Sequence, residues 1–495
     1  MDDDSTANLV ERIKDAGIAN QTSKISDIEA RELELQYERQ QKAVQELLHK
    51  QAFVPVQLSN TIVEGAESIR PNVLQRYLDR TVYTASNLNQ LLRQTDVLFR
   101  LLVSSSLAES ITQTLDTRGS IIANLSNTQI PSYLHENEGS NAMSVIDIVQ
   151  RLKIQPVKKF AAKTGTNVGN GEGDGYLQFQ WRNVFGGGER IVFDATKGTK
   201  TQSSYLLSLI APVNEYWIGD LSSFKQSARF GGVELFTRGI RTSVKSLFFL
   251  EGSWNHELAF ESIWRSTLNK NINSSDSVLI HCGEDLKNSI THKLVKDTRD
   301  NVIFPNSGYS MQLLNEISLG SYWKLYFEAN AAQPLGKDDF FTMSSSIKAG
   351  YISNFHPQGN IVHFKDKFHS GGPNDVRGFQ LMGLGPKDRQ DALGGDALLA
   401  YGVSIFSRLP ISKWSSSGFR LHYFINGGRL INHNNASKSS ILSNMLQQHS
   451  ISTGAGLVFK HPAARFELNF TLPLTAHLSD SVRKGFQYGI GISFL

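Results

Sequence analysis

A turn-rich segment, residues 369–379, carries the side chains best suited to specific recognition. It holds two consecutive glycines and a proline, followed by Arg377 and Phe379. Glycine and proline fix the backbone of such a loop without a hydrophobic core. A guanidinium group and an aromatic ring are groups that can dock into a defined pocket. Taken alone, the segment favours a solvated surface loop, so the rest of the chain must decide between docking and solvation.

A hydrolytic site is a second interpretation, because His422 and Ser452 lie in two neighbouring alternating segments and could face the same side. A histidine base beside a serine nucleophile is the usual arrangement for covalent hydrolysis. However, the sequence offers no third group that would orient the histidine. The pattern therefore disfavours an enzyme.

Two further segments could suggest a bound ion. Residues 169–175 alternate glycine with Asn, Glu and Asp, but they lack the spacing of an EF-hand or a phosphate-binding loop, which favours a flexible turn. His281 and Cys282, with Glu284 and Asp285 close by, have no second Cys or His at metal-ligand spacing. The sequence therefore predicts neither a cofactor nor a metal.

The composition limits the class of protein. The 495 residues leave room for two or three domains, and a net charge of +4 gives no electrostatic support for a nucleic-acid partner. The single cysteine, Cys282, excludes a disulfide within the chain. Since the sequence has no run of 18 apolar residues, it predicts no transmembrane helix. The strands of a membrane barrel show only weak alternation, so a barrel stays compatible with the composition.

Residues 1–50 form a polar leader that we expect to be disordered or partly helical. Helix-forming residues with a narrow apolar stripe at 28–49 predict an exposed or partner-dependent helix. The first residues are acidic and no apolar stretch follows them. This pattern resembles neither a secretory signal nor a matrix-targeting presequence.

Residues 51–156 predict a small α+β domain. An edge strand at 53–58 precedes a helix that begins at Pro71, and Ser86 is a plausible N-cap for a second helix. Alternating β-branched and apolar residues predict further strands at 111–115 and 146–154. The order β-α-α-β-β resembles that of a polypeptide-transport-associated (POTRA) domain.

Residues 157–495 predict a transmembrane β-barrel. In segments such as 465–472, 419–426 and 486–494, apolar residues alternate with charged, amide or glycine residues. An apolar face towards lipid and a polar face towards the lumen explain this pattern better than a soluble sandwich does. Sixteen such segments can be counted, about 21 residues for each strand with its connection. Residues 231–290 are poorly patterned, so the strand boundaries there stay open.

The chain resembles the superfamily of outer-membrane barrel insertases and translocases that includes bacterial BamA. Within it, the chain is most similar to the fungal core subunits of the mitochondrial sorting and assembly machinery. The likeness covers residues from about 54 to 495. The motif Val376-Arg377-Gly378-Phe379 lies where the superfamily carries its Arg-Gly-Phe loop, between the eleventh and twelfth barrel strands, and Gly394-Gly-Asp-Ala397 follows it.

The resemblance implies that this loop folds into the lumen and that a motif on the thirteenth strand, aromatic-x-Asp-x-Gly, holds its arginine. The matching positions are Phe424, Asn426 and Gly428, so an amide replaces the acid. Without a charged acceptor the contact should be weaker. Asp396 and Glu467 are candidates to supply the charge, and alternation places Glu467 on the polar face.

The resemblance also implies a lateral gate between the first and last strands. The last strand resembles the β-signal of mitochondrial barrel precursors, although any amphipathic final strand tends to look similar. Its residues in that pattern are Gln487, Gly489, Ile490, Ile492 and Phe494. The first strand would present a small, weakly apolar outer face, which predicts a seam that opens easily. The residues of that face are Phe160, Ala162, Thr164, Thr166 and Val168.

The expected function is therefore insertion of β-barrel precursors into the mitochondrial outer membrane, with the N-terminal domain facing the intermembrane space. The expected partners are precursor proteins, accessory subunits of the machinery and membrane lipids, without nucleic acid. The alternatives are a polypeptide translocation channel of the same superfamily and a passive porin. Secretion channels share the Arg-Gly-Phe loop, so the motif alone does not separate insertion from transport.

Overall fold

The computed structural model describes most of the chain from residue 53 onwards. Its gaps are residues 125–141, 170–171, 199–200, 231, 248–252, 271–273, 337–339, 356–361, 390, 411–416, 433–437, 462–463 and 492–493. The leader proposed for residues 1–50, with its helix at 28–49, lies outside the described residues. The chain forms two compact units, and the second comprises residues 67–73, 100–110 and 155–495. The domain boundaries expected from the sequence stay a prediction.

The N-terminal region has the expected order of elements. They are β1 (Val56–Glu64), α1 (Pro71–Arg80), α2 (Leu88–Ser104), β2 (Ala108–Asn124) and β3 (Ala142–Pro156), with a short 3-10 turn at Val82–Thr84 between the helices. The three strands form one sheet in the order β1-β3-β2, and β1 runs parallel to β3. This arrangement confirms a small α+β region with β1 as an edge strand.

The two helices of this region begin where local chemistry allows. The first position of α1 tolerates Pro71, because a main-chain N–H at that position would have no partner within the helix. Asn87 caps α2, since its Oδ1 accepts a hydrogen bond from the Gln90 N–H at 2.8 Å. The prediction of Ser86 as the cap is wrong by one residue. The Ser86 hydroxyl instead donates to the Gln90 side chain at 3.0 Å.

Sixteen antiparallel strands form the second sheet, which confirms the predicted number. The first eleven are β4 (Phe160–Gly169), β5 (Glu172–Arg182), β6 (Arg190–Gly198), β7 (Thr201–Pro212), β8 (Trp217–Phe230), β9 (Val233–Ser246), β10 (Asn255–Asn269), β11 (Gly283–Asp297), β12 (Gly308–Ser318), β13 (Tyr322–Leu335) and β14 (Phe341–Asn354). A short hairpin, β15 (Lys387–Asp388) and β16 (Asp391–Ala392), precedes the last five. These are β17 (Ala397–Arg408), β18 (Phe419–Ile431), β19 (Ser450–Lys460), β20 (Arg465–Thr475) and β21 (Gly485–Gly491).

In the described part of the chain, two helices lie in the connections between barrel strands. They are α3 (Asp276–Leu279), after β10, and α4 (Lys438–Leu446), after β18. The poorly patterned residues 231–290 thus contain β9, β10, α3 and the start of β11, which explains why alternation fades there. Within the described part of the chain, no helix combines the length and the apolarity needed to cross a membrane.

The faces of the strands show which side meets lipid. In β20, Phe466, Leu468 and Phe470 are exposed, whereas Arg465 and Glu467 are buried. Charged residues inside and large apolar residues outside reverse the arrangement of a water-soluble protein. The arrangement is that of a transmembrane β-barrel with a polar lumen.

The first and last strands define a seam in the barrel. Neighbouring strands from β4 to β21 are joined by antiparallel ladders in chain order. Across the described residues, no ladder joins β21 to β4, although their Cα atoms come within 8 Å of each other. The seam is the place where the wall lacks regular main-chain pairing.

Candidate functional site

The connection from β14 to β17 comprises residues 355–396, and its described part, 362–389 and 391–396, folds into the barrel lumen. It joins the eleventh and twelfth strands of the barrel, as the motif position predicts. Val376 and Phe379 have no exposed surface. They belong to a hydrophobic cluster that combines loop residues with inner-wall residues of four strands and with Leu495. Its members are Tyr322, Ile352, Val362, Phe368, Val376, Phe379, Leu384, Leu398, Ala400, Leu430 and Leu495. We call residues 355–396 the lumenal loop.

Arg377 is the most deeply enclosed charged residue of the lumenal loop, with 1% of its surface exposed. Its Nε donates to Glu467 Oε2 at 3.0 Å, and its Nη1 donates to the carbonyl oxygen of Leu495 at 2.9 Å. The guanidinium lies 5.0 Å from the centre of the Phe424 ring and 5.8 Å from that of Phe494. Charge pairing, hydrogen bonding to a main-chain oxygen and cation–π contacts therefore hold the Arg377 side chain in place.

The Glu467 carboxylate forms ion pairs with two arginines. Arg465, on the same strand, also pairs with it through Nη2. Asn469 donates from Nδ2 to Glu467 Oε2 at 2.8 Å. The guanidinium of Arg465 lies 4.7 Å from the centre of the Phe406 ring. Two buried cations thus depend on a single buried carboxylate, which makes Glu467 the electrostatic centre of the site.

The two carboxylates considered from the sequence have different places. Glu467 contacts Arg377, whereas Asp396, the residue before β17, pairs with Lys367 at a distance of 3.3 Å. Asp396 is therefore not the partner of Arg377. Glu467 is the partner because the lumenal loop places the Arg377 side chain against the inward face of β20.

Asn426 does not bind the guanidinium of Arg377, contrary to the sequence-based expectation. Its Oδ1 lies 2.7 Å from Ser452 Oγ, and Ser452 also hydrogen-bonds to the main-chain oxygen of Arg377. Asn426 thus supports the loop through a serine. Gly428, in the same motif, leaves room for the loop, because a Cβ there would lie 3.2 Å from Val376 Cγ2.

His422 and Ser452, the pair considered for hydrolysis, each have other partners. The Nδ1 of His422 lies 2.9 Å from Asn469 Oδ1, and its Nε2 lies 3.0 Å from Ser404 Oγ. Its ring stacks on Phe406 with the two centres 4.7 Å apart. Both residues are fully buried and participate in lumenal hydrogen bonds, an arrangement that supports the wall and the loop.

Gln487 ties the last strand to the lumenal loop. The N–H of Gly378 donates to its Oε1 at 2.9 Å, and its Nε2 donates to the main-chain oxygen of Phe379 at 3.0 Å. Gly378 has φ of +86°, and a Cβ there would lie 2.8 Å from that of Ser452. Glycine is therefore required at this point of the motif. The oxygen and the nitrogen of one side-chain amide thus hold two consecutive loop residues against β21.

Asn374 makes a second contact with β21, which the sequence analysis missed. Its Nδ2 donates to the main-chain oxygen of Ile490 at 2.9 Å, and its own main-chain oxygen accepts from the Leu495 N–H at 3.2 Å. A Cβ at Gly489 would lie 2.5 Å from Asn374 Oδ1, and one at Gly491 would lie 3.0 Å from Nδ2. The position of Asn374 two residues before the motif was the only hint of this role.

The outer face of β21 is partly as predicted. Phe486 and Tyr488 are exposed, with Gln487 and Gly489 buried on the opposite side. Ile492 lies outside the described residues. The prediction that Phe494 faces outwards is wrong. β21 ends at Gly491, and Phe494 is buried in the lumen with its ring centre 4.5 Å from the guanidinium carbon of Arg465.

The outer face of β4 carries small residues. Ala162, Thr164 and Thr166 are exposed, and the side chain of Val168 lies outside the described part. Phe160, at the start of the strand, stacks on Trp181 with the ring centres 5.7 Å apart. The edge of β4 that borders the seam is therefore bulky at one end and small along the rest.

A second ion cluster anchors the lumenal loop to another part of the wall. The Asp366 carboxylate accepts from Arg265 Nη1 at 2.6 Å and from Lys287 Nζ at 2.8 Å. The main-chain oxygen of Asp366 accepts from Lys324 Nζ at 2.7 Å, and Lys287 also pairs with Glu316 at 2.6 Å. Burial alone would raise the pKa of Asp366, but Lys287 and Arg265 hold that pKa well below its usual range.

The variant Arg377→Ala is expected to lower the free energy of unfolding of the barrel by about 3 kcal/mol, because it removes one partner of a buried ion pair. The loss of stability stays at the lower end of the usual range, since Glu467 is still paired with Arg465 in this variant. Urea unfolding in detergent micelles, followed by tryptophan fluorescence, measures the change. Arg377→Lys keeps the charge but not the planar fork, so it should recover part of the stability. Wild-type stability of the alanine variant would contradict the anchoring role.

Comparison with known proteins gives consistent matches. Residues 183–494 match the family model described as the Omp85 superfamily domain. The chain is 38% identical to the Sorting assembly machinery 50 kDa subunit of Saccharomyces cerevisiae, over 89% of this chain and 94% of that protein. It is 31% identical to a SAM50-like protein of Schizosaccharomyces pombe, over 96% and 98% of the two chains.

Among solved structures, BamA from Haemophilus ducreyi lacking POTRA domains 1–3 is similar with a TM-score of 0.65 and 15% identity. The match covers 88% of this chain and 84% of that one. CdiB from Acinetobacter baumannii is similar with a TM-score of 0.52 and 12% identity, over 90% and 79% of the two chains. At these identities the structural matches show a common fold.

Proposed function

Because the chain belongs to the Omp85 superfamily and to the family of 50 kDa sorting and assembly machinery subunits, we propose that it inserts β-barrel precursors into the mitochondrial outer membrane. Insertion proceeds through a lateral gate between β4 and β21. The proposed partners are the precursor proteins, the accessory subunits of the machinery and the surrounding lipids. The N-terminal region faces the intermembrane space.

The observation that carries this proposal is the unpaired seam. Among the described residues, β21 pairs with β20 along its length, whereas no ladder joins it to β4. An N–H or C=O group without a partner in hydrocarbon costs several kcal/mol. The edges of β4 and β21 can satisfy such groups on an incoming strand by adding it to the sheet. The chemistry of the proposed function is thus an exchange of main-chain hydrogen bonds, with no covalent bond made or broken.

The lumenal loop gives the seam a fixed frame. Arg377, Gln487 and Asn374 connect it to β20, to β21 and to Leu495. The cluster around Asp366 connects it to β10 and β11. Because the lumenal loop is anchored at both sites, it preserves the structure of the wall beside the seam while β4 and β21 separate. The same buried loop fills lumenal space, which argues for insertion over a passive pore.

Crosslinking the seam tests the proposal. The variant combines Thr164→Cys and Ile490→Cys with Cys282→Ser, and a short bismaleimide then joins the two new cysteines. We expect insertion of a labelled barrel precursor by mitochondria carrying the crosslinked protein to fall at least tenfold. Protease protection of the precursor measures insertion.

The matched control crosslinks Leu468→Cys to Tyr488→Cys, a directly opposed pair on β20 and β21. This crosslink leaves the seam open to an incoming strand, so insertion should continue. Unchanged insertion with the seam crosslinked would contradict the lateral gate. A large open-channel conductance of the purified protein in planar bilayers, with precursor assembly intact after its depletion, would support a channel instead.

The proposed orientation has a separate test. Protease added to mitochondria with an intact outer membrane should leave the N-terminal region uncut. The same region should be cleaved after the outer membrane is ruptured by swelling. Cleavage in intact mitochondria would place this region on the cytosolic side.

A further inference from the structure

Two cations lie side by side on the lipid-facing side of the barrel wall. Lys225 of β8 and Arg238 of β9 are directly opposite each other in the ladder that joins the two strands, and both side chains are exposed. Ile240, two residues after Arg238, shares its face and has 55% of its surface exposed. A positive charge on the lipid-facing side of a barrel is destabilising, and like charges directly opposite on neighbouring strands add to that cost. An anionic partner would offset both effects.

The described part of the chain supplies no carboxylate to this pair. The guanidinium carbon of Arg238 lies 4.6 Å from the centre of the Trp264 ring, which is a cation–π contact and leaves the charge without a counter-ion. Glu234, on the same strand, pairs with Lys270 at 3.3 Å. Among the described residues, neither Lys225 nor Arg238 forms a salt bridge. The anionic partner must therefore come from outside the described chain.

The pair lies at the depth of the lipid headgroups. Tyr205 of β7 is opposite Lys225, and Trp264 of β10 is opposite Arg238. Lipid-facing Tyr and Trp are typical of the interface between headgroups and hydrocarbon. Both cations belong to the half of their strand next to the turn that joins β8 to β9. That turn follows the fifth barrel strand and the lumenal loop follows the eleventh, so both are at the same end of the antiparallel barrel.

The polarity of the outer wall changes in steps from this turn towards the middle of the barrel. In the row next to the cations, Ser223 and Ser262 flank Ile240. In the row after that, Leu221 and Phe260 have 50% and 46% of their surfaces exposed. Cations, hydroxyl groups and hydrocarbon thus follow one another along the strands. A phospholipid has the complementary order of phosphate, ester-linked glycerol and acyl chains.

A groove of about 530 Å³ lies in the wall at these positions, and we call it the outer groove. Its lining includes Phe193, Leu207, Lys225, Arg238, Ile240 and Trp264. We propose that the outer groove binds one anionic phospholipid, with the phosphate between the two cations and an acyl chain against Leu207 and Ile240. A zwitterionic lipid fits less well, because its own ammonium group is repelled by the same cations. The proposal needs only the membrane-spanning barrel and is independent of the insertion function.

Native mass spectrometry of the full chain in detergent tests the proposal. The protein is mixed with phosphatidylglycerol or with phosphatidylcholine of the same acyl chains. We expect wild-type protein to retain one phosphatidylglycerol molecule with at least fivefold higher occupancy than phosphatidylcholine. The double variant Lys225→Gln with Arg238→Gln should lose this preference, because glutamine keeps much of the side chain without its charge.

The matched control is Lys197→Gln with Lys296→Gln, which removes the same charge from β6 and β11. These two strands are not neighbours, so the two lysines cannot share one phosphate. The control should keep the wild-type preference. A preference that survives in Lys225→Gln with Arg238→Gln would overturn the proposal, and so would equal retention of the two lipids by the wild-type protein.

Quenching of tryptophan fluorescence covers the case in which the double variant does not fold. Wild-type protein in phosphatidylcholine bilayers receives the same small fraction of either phosphatidylglycerol or phosphatidylcholine with brominated acyl chains. Brominated phosphatidylglycerol should quench at least twofold more, and the excess should disappear in Trp264→Phe, because Trp264 lines the outer groove. Equal quenching by the two lipids, or an excess that persists in Trp264→Phe, would contradict a bound anionic lipid at this place.

Discussion

Replacement of Glu467 by alanine is expected to lower the free energy of unfolding of the barrel by about 5 kcal/mol, the upper end for loss of one partner of a buried ion pair. The substitution leaves Arg377 and Arg465 buried without a counter-charge, and Asn469 loses an acceptor. Urea unfolding in detergent micelles measures the change. The effect should exceed that of Arg377→Ala, which leaves one ion pair in place.

A double-mutant comparison separates the charge from the packing. In Glu467→Ala combined with Arg377→Ala, one of the two uncompensated cations is gone, so the total loss should be smaller than the sum of the single losses. Glu467→Gln keeps the shape of the side chain and should fall between alanine and wild type. Strict additivity of the two alanine variants would mean that Glu467 and Arg377 do not act as a pair.

Asp366→Asn is expected to lower the free energy of unfolding by about 3 kcal/mol, since Arg265 and Lys287 lose a buried carboxylate that both contact. Arg265 keeps Asp285 and Lys287 keeps Glu316, which limits the loss. Cleavage of the lumenal loop by trypsin should become faster in the variant. The free energy of unfolding and the cleavage rate are the two measurements.

The pH dependence of this contribution has a definite sign. Because the pKa of Asp366 is lowered in the folded barrel, its stabilising effect is fully present above the unfolded pKa of about 4 and is lost as the pH falls through the folded value. The difference between wild type and Asp366→Asn should thus be constant from pH 7 to about pH 5. Asp388→Asn, at an exposed loop carboxylate bound to Ser277, is the control and should leave the trypsin cleavage rate near that of wild type. A difference that grows with acidification would contradict this assignment.

Local alternation made much of this site predictable. Sixteen strands and the inward facing of Glu467 follow from a period of two residues, which assigns a side chain to one face without knowledge of its partners. The position of the lumenal loop followed from the motif. By contrast, the choice between Asp396 and Glu467 depends on where a long loop lies in space, and alternation carries no information about that.

The parts that could not be predicted depend on distant pairing or on a change of direction. Asp366 meets Arg265 and Lys287 across separations of 101 and 79 residues, with no local pattern to link them. The outward assignment of Phe494 assumed that β21 continues to the end of the described chain. The described part of β21 instead ends at Gly491 and Phe494 lies buried in the lumen, so the alternation no longer applies there.

The unpaired edge of β4 has a consequence for the energy of insertion. β4 offers ten residues to a neighbour, and no ladder joins it to β21 in the described residues. A precursor strand of ten residues could therefore pair with main-chain groups of β4 that have no partner across the seam, at a gain of several kcal/mol for each group removed from hydrocarbon. The free-energy change of strand exchange would then be favourable, because the precursor supplies new main-chain hydrogen bonds. On this basis, neither nucleotide hydrolysis nor an ion gradient is needed to drive the step.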